Sequence, residues 1–197
     1  MFNKRAASVL FLALLLSSVC FAQDKAPSKL ILKVDENVNG PYGGQKSSSC
    51  LRVYSDGRVL YASWWNSAAT IVEKETGKKS RPEHTVSTEH HLEETEMWDL
   101  SSFLESKVLK KLPEKFGPPH PPIDYFEYIS VQITGSQGKP KQISTREFYV
   151  ASLEEKARYP SALLLLMGKI EEIQREANSK GKPAEIPPDC QLKPVQP

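Results

Sequence analysis

The chain has 197 residues, a quarter of them charged, with 26 Lys and Arg against 24 Asp and Glu. That length suffices for one sizeable core without several disulfides. The near balance of charge lacks the basic face with which a nucleic-acid binder displaces phosphate counterions. At the N-terminus, Lys4 and Arg5 precede an apolar run over residues 6–19, and Cys20-Phe21-Ala22 offers small side chains at the −3 and −1 positions of a cleavage site. Residues 1–22 therefore read as an export signal cut after Ala22. Acylation at Cys20 is disfavoured, because Val19 stands where that signal wants a small residue. The run is shorter than the ~20 residues of a transmembrane helix, and no later stretch approaches that length. The expectation is a periplasmic or secreted protein with no transmembrane segment. Loss of Lys4 and Arg5 brings its charges to 24 basic against 24 acidic.

Cys50 and Cys190 survive such processing, and an oxidising compartment allows one pairing between them. The bond would tie the C-terminal tail to the central hairpin, closing a loop for which chain entropy allows about 4–5 kcal/mol. The other possibility is two free thiols, one at a strand start and one in the tail.

In chain order, residues 23–28 form a polar lead-in and residues 29–34 (KLILKV) a strand that needs a partner. Residues 35–49 contain Asn39-Gly40-Pro41 and Gly43-Gly44 and end in three serines, a turn-forming composition that predicts a long loop. It lacks the GK[ST] ending of a phosphate-binding loop. Residues 50–65 (CLRVYSDGRVLYASWW) form the central hairpin, with Asp56-Gly57 as a two-residue type I′ turn closed by Ser55 and Arg58. That register sets Tyr54 against Val59 and Leu51 against Ala62. It gathers Leu51, Val53, Leu60, Ala62 and Trp64 on one apolar face, and Arg52, Tyr54, Val59, Tyr61, Ser63 and Trp65 on the other. Residues 68–75 and 79–90 flank Thr76-Gly77-Lys78 as a second hairpin, whose second strand lies at a sheet edge or begins after Pro82.

From Glu93 the period changes. Met97, Leu100 and Leu104 share a helical face with Trp98 and Phe103 beside it, and Glu93, Glu94 and Glu96 suit the positive end of the helix dipole. Residues 107–115 carry this on with Val108, Leu109 and Leu112 as far as Pro113, and FGPPHPP at 116–122 is a stiff connector. Residues 123–134 and 141–150 make a third hairpin. Ser152 and Glu155 have capping-box spacing. Pro160 then opens an amphipathic helix with Leu163, Leu166, Met167, Ile170 and Ile173 on one face, lasting to about Ala177. Residues 178–197 form a Pro-rich tail without regular structure. The predicted fold is α+β: one domain over 29–177, an antiparallel sheet of consecutive hairpins packed against two main helices near 93–106 and 160–177.

The candidate chemistry is sparse. His90 and His91 are adjacent, so neither a strand nor a helix points both at one metal. His84, His90 and Glu93 or Glu94 would converge only if the strand bends into the helix, and His120 lies among prolines. No zinc-protease spacing and no G-x-S-x-G elbow is present. No cofactor is implied. The ligand-binding candidates are Arg52, Tyr54, Tyr61 and Trp65, an aromatic surface with a guanidinium suited to a sugar, a peptide or another planar group. FGPPHPP is a second candidate, as a segment that docks into a partner's aromatic groove. The leading expectation is a non-enzymatic exported domain that binds a protein partner or small ligand through the hairpin or the Gly/Pro-rich loops. The alternative is a hydrolase or metal-dependent enzyme using His84, His90 or His91 with nearby carboxylates.

The Tyr54-Ser55-Asp56-Gly57-Arg58-Val59 turn, a later helix with Leu100 and Leu104, and a final leucine-rich helix resemble the element order of uncharacterised exported bacterial domains built as small α+β units. The resemblance spans residues 30–177. It implies a fold and a destination, and it brings no activity, cofactor or site residue.

Overall fold

The computed structural model describes residues 28–39, 45–67, 71–72, 79–117, 126–135, 140–146 and 157–192. Several sequence features lie outside them: the export signal and lead-in up to 27, the glycines of the 40–44 turn, and the Thr76-Gly77-Lys78 turn. So do most of FGPPHPP with His120, the pair Ser152 and Glu155, and residues 193–197. In chain order the strands are β1 (Leu30–Asn39), β2 (Lys46–Tyr54), β3 (Arg58–Asn66), β4 (Ile71–Val72), β5 (Lys79–Ser80), β6 (Glu83–His91), β7 (Lys115–Phe116), β8 (Phe126–Ile133), β9 (Lys141–Arg146) and β10 (Lys182–Pro183). The helices are α1 (Glu94–Leu104), α2 (Lys107–Lys110) and α3 (Ser161–Lys180).

The fold is α+β, with a sheet larger than a row of hairpins. Eight strands pair in the order β10-β6-β3-β2-β1-β8-β9-β7, antiparallel throughout except where β7 joins β9 in parallel. The first strand is therefore central, paired with β2 on one side and β8 on the other. Of the expected second hairpin, Ile71 pairs with Ser80 and Val72 with Lys79 as β4 and β5, with residues 68–70 and 73–78 outside the described ones, while β6 pairs with β3 over nine residues, from Arg58 opposite His91 to Asn66 opposite Glu83. Pro82 precedes β6, as its missing amide requires.

Two local expectations change. The run over 35–49 is mostly strand: β1 continues to Asn39 and β2 starts at Lys46, so all three serines are paired. The central hairpin forms, but one residue out of the expected register. Val53 faces Val59, Leu51 faces Tyr61 and Cys50 faces Ala62. Its turn is closed by Gly57 N–H donating to Tyr54 O at 3.0 Å, with Gly57 at φ +89°. This is the three-residue loop ending in a left-handed glycine, in place of the two-residue type I′ turn. The surroundings favour it. Ser55 N–H bonds Lys29 O, and Leu92 N–H bonds Gly57 O, which stitches the turn to both the start of β1 and the end of β6.

The core lies on one face of this sheet. On α3 the residues expected to be buried, Leu163, Leu166, Met167, Ile170 and Ile173, are buried, with Ala177 added one turn on. They pack over Leu32, Val34, Leu51, Val53 and Val59, with Val131 and Ile143 further across. Each such side chain contributes about 1.5–3 kcal/mol relative to exposure. The helix at 93–106 is shorter and secondary. Leu100 and Leu104 of α1 reach the core, and Glu93 N–H donates to Glu96 Oε2 at 2.7 Å to cap its start. Trp98, placed beside the apolar face by sequence, is 70% exposed.

The segment after α3 is a strap. Gly181 passes so close to the sheet that a Cβ would strike Ala177 O and stand 2.8 Å from Thr88 Cβ. The chain then adds β10 to the β6 edge, bonds Ala184 N–H to Ser87 O, and crosses the back of the sheet with Pro187 buried. Cys190 meets Cys50 at disulfide distance with their Cα atoms 5.9 Å apart, and Ser48 Oγ donates to Leu192 O. The tail expected to lack regular structure from residue 178 thus extends the helix to Lys180 and adds β10, and its disulfide partner stands 140 residues earlier in the chain.

Candidate functional site

The changed register redistributes the expected binding residues. In a strand, alternate side chains share a face, and directly opposed residues share it too. Tyr61 and Trp65 therefore lie on the helix-bearing face with Leu51 and Val53, whereas Arg52 and Tyr54 lie on the back with Cys50. The four do not form one surface.

Arg52 is wholly buried, and all five of its donors are engaged. Nε bonds Asp189 Oδ2 at 3.0 Å, Nη1 bonds the carbonyls of Val34 and Leu51, and Nη2 bonds Asp35 Oδ1 at 2.7 Å and Asp189 O. A guanidinium so used has no donor left for an outside ligand. Its role is to seat the strap. Lys33 Nζ adds a bond to Asp189 at 2.9 Å. Burial pushes the Asp189 carboxyl up, but the Lys33 hydrogen bond and the charges of Arg52 and Lys33 outweigh it and hold the carboxyl below its usual range. Tyr54 is stacked under Arg58, whose Cζ is 4.3 Å from the ring centre. Trp64, on the back, is buried and donates from Nε1 to Glu83 Oε2.

Tyr61 and Trp65 occupy a different setting. On the helix-bearing face the pairings set Ser63, Ser49 and Glu36 side by side across β3, β2 and β1, and the next row carries His84, Trp65 and Ser47. Ser49 Oγ donates to Glu36 Oε2 at 2.9 Å. Burial pushes the Glu36 carboxyl above its ordinary range; the Ser49 bond pulls it back, and the like charge of Glu171 on α3 adds to the push. Burial also raises the Tyr61 phenol against a hydrogen bond from Ser63, with the Glu36 charge adding to the rise. At the outer end the Trp65 and His84 rings stack, centroids 5.3 Å apart and planes 22° from parallel. Strand spacing puts Trp65 about 12 Å from Glu36 and His84, one strand further out, about 16 Å away, with serine hydroxyls between.

His84 is two strands across and two residues along from Ser49, about 12 Å at ordinary strand spacing, well beyond nucleophile–base contact. His84 and His90 share a face of β6 but sit six residues apart, about 20 Å, and His91 points to the opposite face. His84, His90 and His91 thus do not converge. Among the described residues no three His, Cys, Asp or Glu side chains could hold a metal.

Glu36, Ser47 and Ser49 were invisible to a composition argument that classed residues 35–49 as loop. The period-two series Leu32, Val34, Glu36, Val38 and Ser47, Ser49, Leu51, Val53 carried the signal, with polar residues continuing an apolar register. Among the described residues no helix is long and apolar enough to cross a membrane. Compared with known proteins, the chain matches no family model and no curated sequence.

Proposed function

We propose that this chain is an exported, non-enzymatic binding domain, and that its ligand site is the polar end of the helix-bearing face. The observation that carries it is the Glu36 carboxyl, bonded to Ser49 and in one row with Ser63, on the same face as the stacked Trp65–His84 pair and about 12 Å from Trp65 at strand spacing. An aromatic platform accepts the apolar face of a ring, and a line of hydroxyls ending in a carboxyl accepts a polar edge. A polyhydroxylated ligand of two linked rings, neutral or amino-substituted, is long enough to reach both. Keeping a partly buried carboxyl beside a like charge is unfavourable for folding, which fits a residue retained for binding. The pairing of Cys50 with Cys190 supports an oxidising destination, in keeping with a signal at 1–22. The resemblance to exported α+β domains agrees with that placement.

The test is titration of the mature protein with cellobiose, chitosan disaccharide and N,N′-diacetylchitobiose, followed by ¹H–¹⁵N chemical shifts. Saturable shifts on β2 and β3 that disappear in both Trp65→Ala and Glu36→Gln are the expected result. Shifts that persist unchanged in both variants, or no saturable response to any of the three, would refute the assignment.

A further inference from the structure

A second surface stands apart from that site, between α1 and α3. Leu92, Leu100 and Ile173, each under 8% exposed, floor a cleft of about 190 Å³. Small-molecule sites are typically ~300–1,000 Å³, so this one suits a single anchoring side chain of a larger partner. Its rim is mainly acidic, with Glu96 and Asp99 on α1 and Glu172 and Glu176 on α3 against one cation, Lys169.

Helical spacing gives the cleft a direction. Leu165, Lys169, Glu172 and Glu176 follow one another at i, i+4, i+7 and i+11 along one stripe of α3. Lys169 Nζ lies 5.7 Å from the centre of the Phe103 ring on α1, which aligns that end of the stripe with Phe103 and the other with Glu96. One end is thus apolar, with half-buried Phe103 and with Leu165 at 59% exposure, and the other is anionic. The chain's own Lys180 already occupies the anionic end, its Nζ 2.8 Å from Glu176 Oε1. Glu176, Glu96 and Glu93 together raise that ammonium's pKa, so their combined field favours a cation there. Glu96, Asp99 and Glu172 remain along the rim.

We infer that the α1–α3 cleft docks an amphipathic segment of a protein partner, one that sets an apolar side chain on the Leu100–Ile173 floor and lysines or arginines against Asp99 and Glu172. Charge complementarity selects this occupant. An anionic lipid surface would be repelled by the same rim, and a second copy of this cleft would oppose acid to acid. The contact is independent of the ring-binding site on the sheet.

The probe is an 18-residue synthetic peptide of leucine and lysine with leucines at helical spacing, titrated by fluorescence anisotropy against the mature protein. Its control carries glutamate in place of every lysine. The lysine peptide should bind, weaken as salt rises, and lose about tenfold in affinity to the Asp99→Lys/Glu172→Lys double variant. Leu165→Ser should weaken it without changing the salt slope. All three substituted side chains are exposed, and unchanged circular dichroism confirms that the variants fold. Equal binding of the glutamate peptide would overturn the inference. So would full affinity in the double variant, or sedimentation showing that the cleft joins two copies of the chain.

Discussion

Replacing Arg52 with methionine keeps most of the buried stem and deletes the guanidinium. Five hydrogen bonds go with it, two of them to the carboxylates of Asp35 and Asp189. Breaking a buried ion pair from one side typically costs ~3–5 kcal/mol. Here the orphaned side chains are 34% and 48% exposed and regain water, and methionine refills part of the volume. The lower end of that range, about 3 kcal/mol, is therefore expected. For a domain of this size that corresponds to a fall in Tm of about 6–12 °C. Urea unfolding would give the free energy, and hydrogen exchange would locate the loss. Because the strap stays tethered through Cys50 and Cys190, amides over 184–192 should lose protection while those of β1 and β8 keep theirs. A loss below about 1 kcal/mol, or exchange that rises uniformly across the sheet, would refute the view that Arg52 seats the strap.

Two further perturbations test other parts of the molecule. The Glu36 pKa is raised in the folded state, so its contribution to stability is fully present below 4.5 and is lost as pH rises through the folded value. Glu36→Gln should accordingly match the parent in Tm at acid pH and exceed it at neutral pH; a variant less stable at neutral pH would show that the ionised carboxyl supports the fold. Gly181→Ala forces a Cβ against Ala177 O and Thr88 and should destabilise by about 1–3 kcal/mol in thermal melts, with no effect refuting the close approach of strap and sheet.

What the sequence disclosed depended on how local each signal was. The α3 stripe was legible because six turns of 3.6-residue period over 161–180 leave no competing pattern, and β8 and β9 were legible because a turn-rich gap separates two β-branched runs. The central register was not. Asp56-Gly57 fits a two-residue turn and equally the last two places of a three-residue one, and the choice was made by Lys29 and Leu92, which bond the turn from far along the chain. A shift of one residue then moved Tyr61 and Trp65 to the opposite face from Arg52 and separated the expected site. The β3–β6 pairing was not legible because Thr76-Gly77-Lys78 offers a near turn, whereas this ladder joins segments 17 residues apart at their nearest, Asn66 and Glu83. The strap left only Cys190 as a trace, since its other anchors are Asp189, the Leu192 carbonyl and backbone pairing with β6, none of which marks the sequence.

The strap also sets an order of events. β2 carries Cys50 and Arg52 near the start of the domain, and the groups that cover them, Asp189 and Cys190, come 137 and 140 residues later. A chain made or threaded N-terminus first therefore holds a cationic, thiol-bearing back face open until residues 189–190 have emerged. Helix and sheet can meet before then, but closure waits on that strap. Under the export proposed above, the lock would need both an oxidant and the strap, and the two would meet on the far side of the membrane.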